Sequence, residues 1–89
     1  MKAVITVKGE DGVGIIARVS KLLADADINV IDISQTTASN QFFMVMLVDT
    51  AKTKKEFSQI VSELKALGKE LNQSINISNE KLFNSMHRI

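Results

Sequence analysis

The stretch Gly9-Glu10-Asp11-Gly12-Val13-Gly14-Ile15 separates a short β-branched run from the clearest amphipathic helix in the chain. Its glycines allow a tight turn and a left-handed backbone wherever the turn needs one. Asp11 is placed to cap the helix, because its carboxylate can accept a hydrogen bond from the backbone N–H of Val13 or Gly14. The stretch therefore predicts a strand-to-helix loop. Such a loop either serves structure alone or uses the unpaired N–H groups of the helix N-terminus to hold a carboxylate or phosphate.

Hydrophobic periodicity on both sides of this loop predicts the other elements. The predicted strands are residues 3–7, 30–37, 42–48 and 74–78, and helix one covers about residues 13–26. Thr53-Lys54-Lys55-Glu56 has the pattern of a capping box and predicts the start of helix two. Gly68 either ends that helix or lies on its surface, and the sequence leaves this open. Asn79 predicts the N-cap of a last short helix with Leu82, Phe83, Met86 and Ile89 on one side.

The order β-α-β-β-α-β predicts an α+β fold, a ferredoxin-like sandwich built from two split βαβ units. Its four-stranded antiparallel sheet should have the spatial order 4-1-3-2, with both main helices on one face. The chain of 89 residues fits a single domain, residues 1–89. Strand three is apolar on both faces, so the second face should be covered by the last helix, by a second subunit, or by both. In strand two, alternation predicts Ile31 and Ile33 on one face.

Several functional classes do not fit the composition. Cysteine is absent, the net charge is +1, and there is no Trp or Tyr, so neither a thiolate site nor a nucleic-acid surface is expected. His87 is the only histidine and has no second metal ligand near it in sequence. We therefore predict no catalytic residue, no metal, no cofactor and no enzyme activity. The N-terminus has no signal-peptide pattern and no apolar run is long enough for a membrane helix, which predicts a cytoplasmic protein without a membrane partner.

One longer pattern is more specific. The segment Asp11-Gly12-Val13-Gly14-Ile15-Ile16-Ala17-Arg18-Val19-Ser20, followed by Asp27-Ile28-Asn29-Val30, resembles the opening of an ACT domain. The similarity extends over about residues 2–78, and the segments at 31–35 and 80–89 resemble small stand-alone bacterial ACT proteins. That group is similar to the ACT domains of the glycine-cleavage repressor and of formyltetrahydrofolate deformylase. Val13 stands where the family usually has proline, which retains a backbone N–H and loses some stiffness.

The resemblance implies a regulatory module that senses a small molecule, typically an amino acid, at a subunit interface. Its ligand contacts would come from Asp11, Gly12, Val13, Gly14 and Ile15 in the loop and from Asn29 at the start of strand two. Asn29 is equally well explained as a turn residue that bonds its own backbone. A homo-oligomer, at least a dimer, and an unidentified protein partner are also expected. The alternative is an oligomerisation or partner-docking module that binds no small molecule.

Overall fold

The computed structural model describes residues 1–86 of the chain, and its elements follow the predicted order. The strands are β1 (Lys2–Glu10), β2 (Asn29–Ala38), β3 (Gln41–Asp49) and β4 (Gln73–Asn79), and the helices are α1 (Ile15–Asp25), α2 (Phe57–Leu71) and α3 (Glu80–Met86). The prediction of a βαββαβ fold with a short C-terminal helix is confirmed. His87 and Ile89 lie outside the described part of the chain, and so does the Met86 side chain, for which the sequence predicts a shared helix face.

All four strands form one antiparallel sheet in the order β2-β3-β1-β4. This is the predicted order 4-1-3-2 read from the opposite edge. The two central strands pair along their whole length, from Lys2 opposite Asp49 to Glu10 opposite Gln41. β2 and β4 are therefore the edge strands. Along the strand direction, the end of the sheet with the Lys2–Asp49 pair is well separated from the end with the Glu10–Gln41 pair.

The core lies between the sheet and the helices α1 and α2. Residues directly opposite each other on neighbouring strands share a face, so each β1 residue facing the helices has partners that face them too. The buried side chains are Ala3, Ile5 and Val7 of β1, Phe42, Met44, Met46 and Val48 of β3, Ile75 of β4, Ile15, Val19 and Leu23 of α1, Ile60, Leu64 and Leu67 of α2, and Ala26 and Ile28 between α1 and β2. Each large side chain buried here stabilises the fold by roughly 1.5–3 kcal/mol.

The opposite face of the sheet is covered only in part. α3 packs on β1 and β4, where Val4 is buried beside Phe83. Phe43 of β3 remains 45% exposed, as expected for one member of an adjacent phenylalanine pair whose other member, Phe42, is in the core. α3 begins as predicted, because the Asn79 side-chain oxygen accepts a hydrogen bond of 2.8 Å from the Lys81 N–H.

The start of α2 differs from the prediction. α2 begins at Phe57, and Glu56 precedes it with an extended backbone (φ −67°, ψ 149°) that no side chain caps. The predicted capping box is therefore wrong. The Thr53 hydroxyl instead accepts a hydrogen bond of 3.3 Å from the Lys55 N–H, so this side chain stabilises a local turn before the helix.

A bulge in β2 interrupts the alternation that predicted a shared face for Ile31 and Ile33. Val30 and Asp32 pair with consecutive residues of β3, so Ile31 is an extra residue without a partner in that strand. Val30 and Ile33 both lie opposite buried residues of β3, on the side that carries the helices. The helices cover this edge only in part, and all ten residues of β2 are exposed.

Candidate ligand site

The loop between β1 and α1 ends in a left-handed residue. Gly14 is the N-cap position of α1, with φ 83° and ψ 8°, and its carbonyl oxygen accepts the Arg18 N–H at 2.9 Å. The helix thus begins later than predicted. Asp11 is three residues before the cap position and no side chain caps the helix, so the predicted capping role of Asp11 is wrong. The backbone N–H of Asp11 instead donates to the carbonyl oxygen of Asn40 at 2.8 Å.

This uncapped helix end borders a cavity of about 200 Å³. The cavity is lined by Asp11, Gly12, Gly14, Ile15, Ile16 and Ala17 from the loop and first helical turn, with Gln35 of β2 and Phe42 of β3. The first N–H groups of a helix have no acceptor within the helix and carry partial positive charge, so this wall favours an anionic group. Val13, the remaining loop residue of the predicted site, is fully exposed and does not line the cavity.

Asn29 lies at the other end of the sheet. It opens β2 opposite Asp49, whereas the loop follows Glu10, which lies opposite Gln41. These eight residue steps along β3 span roughly 27 Å. Asn29 borders a separate cavity of about 450 Å³, together with Asp27, Ile28, Asp49, Ala51 and Lys52. Within one chain, the structure therefore brings four of the predicted site residues together and leaves Asn29 apart from them.

Asp49, opposite Asn29, has a lowered pKa. The backbone N–H of Ala51 donates to its carboxylate at 2.9 Å, and this hydrogen bond is the main reason why the pKa of Asp49 is lowered. The N-terminal ammonium of Met1, 3.6 Å away, and the positive charge of Lys2 lower the pKa of Asp49 further. Asp49 is thus an anion that the β3–α2 turn stabilises.

The edge of β2 connects the two cavities. Val30, Ile31 and Ile33 are 37%, 44% and 43% exposed, and Ile16 of α1, beside the loop cavity, is 40% exposed. An edge strand with exposed apolar side chains is a template for pairing with another strand. One backbone donor of β2 already has a partner within the strand, because the Ile33 N–H donates to the Asp32 carboxylate at 2.9 Å.

Residues 1–86 contain neither a metal-binding cluster nor a membrane-spanning helix. No group of three or more His, Cys, Asp or Glu side chains is close enough there to hold a metal ion. In the same part of the chain, no helix combines the length and the apolar character that a membrane crossing requires.

The sequence did not identify Gln35, Phe42 or Gln73 as residues of the site region. The adjacent pair Phe42 and Phe43 predicts only that one of the two lies in the core, and Gln35 is predicted only as part of the polar half of an edge strand. Gln73 begins β4 and is buried, with 7% exposure, and its side-chain Nε2 donates to the carbonyl oxygen of Glu10 at 2.5 Å. This contact joins residues 63 positions apart, so no local pattern could have indicated it.

Comparisons with known proteins agree with the observed fold. The profile described as ACT domain matches residues 2–78. A UPF0237 protein of Listeria innocua is 45% identical over 89 residues, which is the full length of both chains. The structure of an ACT domain protein from Streptococcus pneumoniae superimposes with a TM-score of 0.82 and 41% identity, over 93% of each chain.

Two more distant structures share the fold as one part of longer chains. A candidate glycine cleavage system transcriptional repressor has a TM-score of 0.76 and 25% identity, over 86% of this chain and 44% of the other. Formyltetrahydrofolate deformylase from Pseudomonas putida has a TM-score of 0.80 and 10% identity, over 89% of this chain and 29% of the other. The predicted similarity to both groups is confirmed at the level of the fold.

Proposed function

The chain belongs to the ACT domain family, and from this premise we propose that it is a non-catalytic regulatory module that binds a small molecule, in our inference an amino acid. ACT domains are regulatory ligand-binding modules. The observation that carries the proposal for this chain is the cavity at the uncapped N-terminus of α1.

The chemistry of this cavity suits an amino acid. The unpaired N–H groups of the first turn would hold the α-carboxylate. Asp11 and the side-chain oxygen of Gln35 offer acceptors for the ammonium group, because Gln35 uses its Nε2, not its oxygen, to donate a hydrogen bond of 2.9 Å to the Thr37 hydroxyl. The side chains of Phe42 and Ile16 form an apolar part of the cavity wall. A volume of about 200 Å³ is below the usual range of drug-sized pockets, so a small ligand fits best.

We further propose that the working unit is a homodimer formed by the β2 edges. A two-fold axis pairs identical edge strands antiparallel, so the start of β2 in one chain meets the end of β2 in the other. Asn29 of one subunit would then lie beside the loop of its neighbour, although the two are at opposite ends of one chain. The Asn29 amide would contribute both a donor and an acceptor to a ligand that bridges the subunits.

A thermal-shift screen tests the ligand. The twenty amino acids, with nucleotides and folates as other classes, are added at millimolar concentration to the full chain. A ligand at 100 times its dissociation constant stabilises the native state by about 2.7 kcal/mol. For a domain of this size, that gain raises the melting temperature by several degrees or more. We expect such a shift for at least one amino acid.

Two variants test whether the ligand-induced shift in melting temperature comes from binding at the proposed site. Asn29→Ala should reduce the ligand-induced shift without lowering the melting temperature of the free protein, because Asn29 is exposed. Asn76→Ala, at an exposed position of the opposite edge strand, is the matched control. If no compound shifts the melting temperature, the alternative of an oligomerisation or docking module, which the exposed β2 edge also supports, replaces the sensor.

A further inference from the structure

Gln73 is a buried polar residue at the junction of three elements. α2 ends at Leu71, Asn72 has a left-handed backbone (φ 57°), and Gln73 begins β4 opposite Gly9. Its Nε2 donates to the Glu10 carbonyl oxygen at 2.5 Å, and its Oε1 is buried without a hydrogen-bond partner among the described residues. An apolar side chain of the same length would fill this space without burying an unpaired oxygen. Core packing alone therefore does not explain an amide here.

Two glycines make room for this side chain and its backbone. A Cβ added at Gly9 would lie 2.7 Å from Gln73 Oε1 and 2.6 Å from the Asn72 carbonyl oxygen. A Cβ added at Gly68 would lie 2.5 Å from the Gln73 carbonyl oxygen. Real Cβ atoms do not approach so closely. Neither glycine is in the left-handed region, so both serve close approach rather than an unusual turn.

The bond from Gln73 reaches one particular peptide group. The peptide between Glu10 and Asp11, here called the exit peptide, is where the chain leaves β1. It leads into residues 11–14, which are named the ligand loop after the proposed function. Its carbonyl oxygen accepts from Gln73 on the β4 side, and its N–H donates to the Asn40 carbonyl oxygen on the β3 side. β4 has no residue opposite Glu10, because α2 and Asn72 occupy that part of the chain. The Gln73 amide thus takes the place of a missing backbone donor.

From this arrangement, we propose that Gln73 is a positioning residue for the ligand loop. It holds the exit peptide from one side while Asn40 holds it from the other, and so fixes the direction in which residues 11–14 approach the N-terminus of α1. Describing this as ligand positioning rests on the proposed function. The hold on the exit peptide is itself a property of the free protein and is tested without a ligand.

Amide hydrogen exchange of the free protein, followed residue by residue by NMR, measures the hold directly. Gln73→Met keeps the length and volume of the side chain and removes the donor. Loss of one such hydrogen bond should raise the exchange rate of the Asp11 amide about three- to tenfold. The exchange of the amides of β1 and β3 in the core should change little, because Met fills the site without an unpaired oxygen.

Two controls separate positioning from general stability. Leu71→Ala removes apolar packing at the same corner and leaves the Gln73 amide in place, so its effect on Asp11 should match its effect on core amides. Gln73→Leu repeats the main test if the Met variant folds poorly. The proposal fails if Asp11 exchange rises no more than core exchange in a folded Gln73 variant. A failed ligand screen with selective Asp11 exchange would overturn only the sensor function.

Discussion

The N–H of Asp11 and the carbonyl oxygen of Asn40 are joined by a hydrogen bond of 2.8 Å, which ties the first residue of the ligand loop to the β2–β3 turn. That turn has two left-handed residues, Ser39 (φ 50°) and Asn40 (φ 64°), as hairpins with two-residue turns require. The other end of the loop is set by the conformation of Gly14. The two ends are therefore held by different means, and mutations should affect them differently.

Gly14→Val should impair ligand binding more than folding. The left-handed backbone at Gly14 costs a non-glycine residue about 1–2 kcal/mol, and a β-branched residue is among the least tolerant. An added Cβ meets nothing within 4 Å, so no steric clash adds to this cost. We expect a folded variant that loses the ligand-induced thermal shift, because relieving the strain re-aims the N–H groups of the first turn.

Gly12→Ala is the matched control for the folding part of this prediction only, since Gly12 also lines the cavity. Gly12 is in the same loop, has no positive φ, and has only Ile15 Cδ1 at 4.0 Å from an added Cβ. The free energy of unfolding of the Gly12→Ala protein should differ from that of the wild type by less than about 0.5 kcal/mol. If Gly14→Val unfolds the domain instead, the glycine is required for the turn alone and the ligand role of this backbone is lost.

Gly68→Ala should destabilise the protein, although alanine is the better helix former. Replacing a mid-helix glycine by alanine normally gains about 1 kcal/mol. Here the added Cβ would lie 2.5 Å from the Gln73 carbonyl oxygen, which is backbone and cannot move aside cheaply. Overpacking of this kind costs about 1–3 kcal/mol. Urea denaturation should therefore show a net loss, whereas Ser62→Ala, at an exposed position of α2, should show none.

The fold could be predicted because its signals are local and repeated. The alternation in β1 and the apolar run of β3 each depend on many residues. The strands could therefore be recognised and their order derived, although the exact first and last residues of individual elements were not predicted. Single-residue signals failed more often. Thr53 had the pattern of a cap and formed a turn, since a hydroxyl can bond to either kind of backbone with similar energy.

The site was less predictable because its geometry depends on distant contacts. The loop could be recognised from its glycines, but its support could not, since Gln73 and Glu10 are far apart in sequence. The role of Gly68 stayed open for the same reason: only the approach of the β4 backbone shows why this helix position lacks a side chain. The separation of Asn29 from the loop required the register of the whole sheet.

Acid should remove a stabilising contribution from Asp49. Its folded-state pKa is lowered, chiefly by the hydrogen bond from the Ala51 N–H, so the contribution is complete above the unfolded pKa near 3.8. It is lost as the pH falls from there through the folded pKa. Asp49→Asn should therefore flatten the dependence of stability on pH below pH 3.8. Ala51→Pro, which removes the donor at a turn position, should do the same, and an unchanged acid limb in both variants would contradict this reading of the pKa.

The β2 edge is the surface that we expect to hold two subunits together. Every residue of β2 is exposed, and Val30 and Ile33 face the helix side but are only partly covered there. In a two-fold dimer each such side chain is buried twice, once from each subunit. Full burial of an exposed side chain of this size is worth roughly 1.5–3 kcal/mol. Because Ile33 is already more than half covered in the monomer, its remaining burial contributes about 1 kcal/mol per subunit and about 2 kcal/mol to the dimer.

Ile33→Lys should therefore weaken self-association strongly while leaving the monomer folded. A loss of about 2 kcal/mol or more corresponds to a rise of roughly thirtyfold or more in the dissociation constant of the dimer. Sedimentation equilibrium at micromolar concentration measures this, with Asn76→Lys on the exposed side of β4 as a control for added charge. The proposed dimer would account for a ligand site divided between the two ends of one chain, because Asn29 of one subunit would lie beside the loop of the other. A wild-type chain that stays monomeric with its amino acid bound would show that the loop cavity works alone, and the Asn29→Ala variant should then bind that ligand as well as the wild type does.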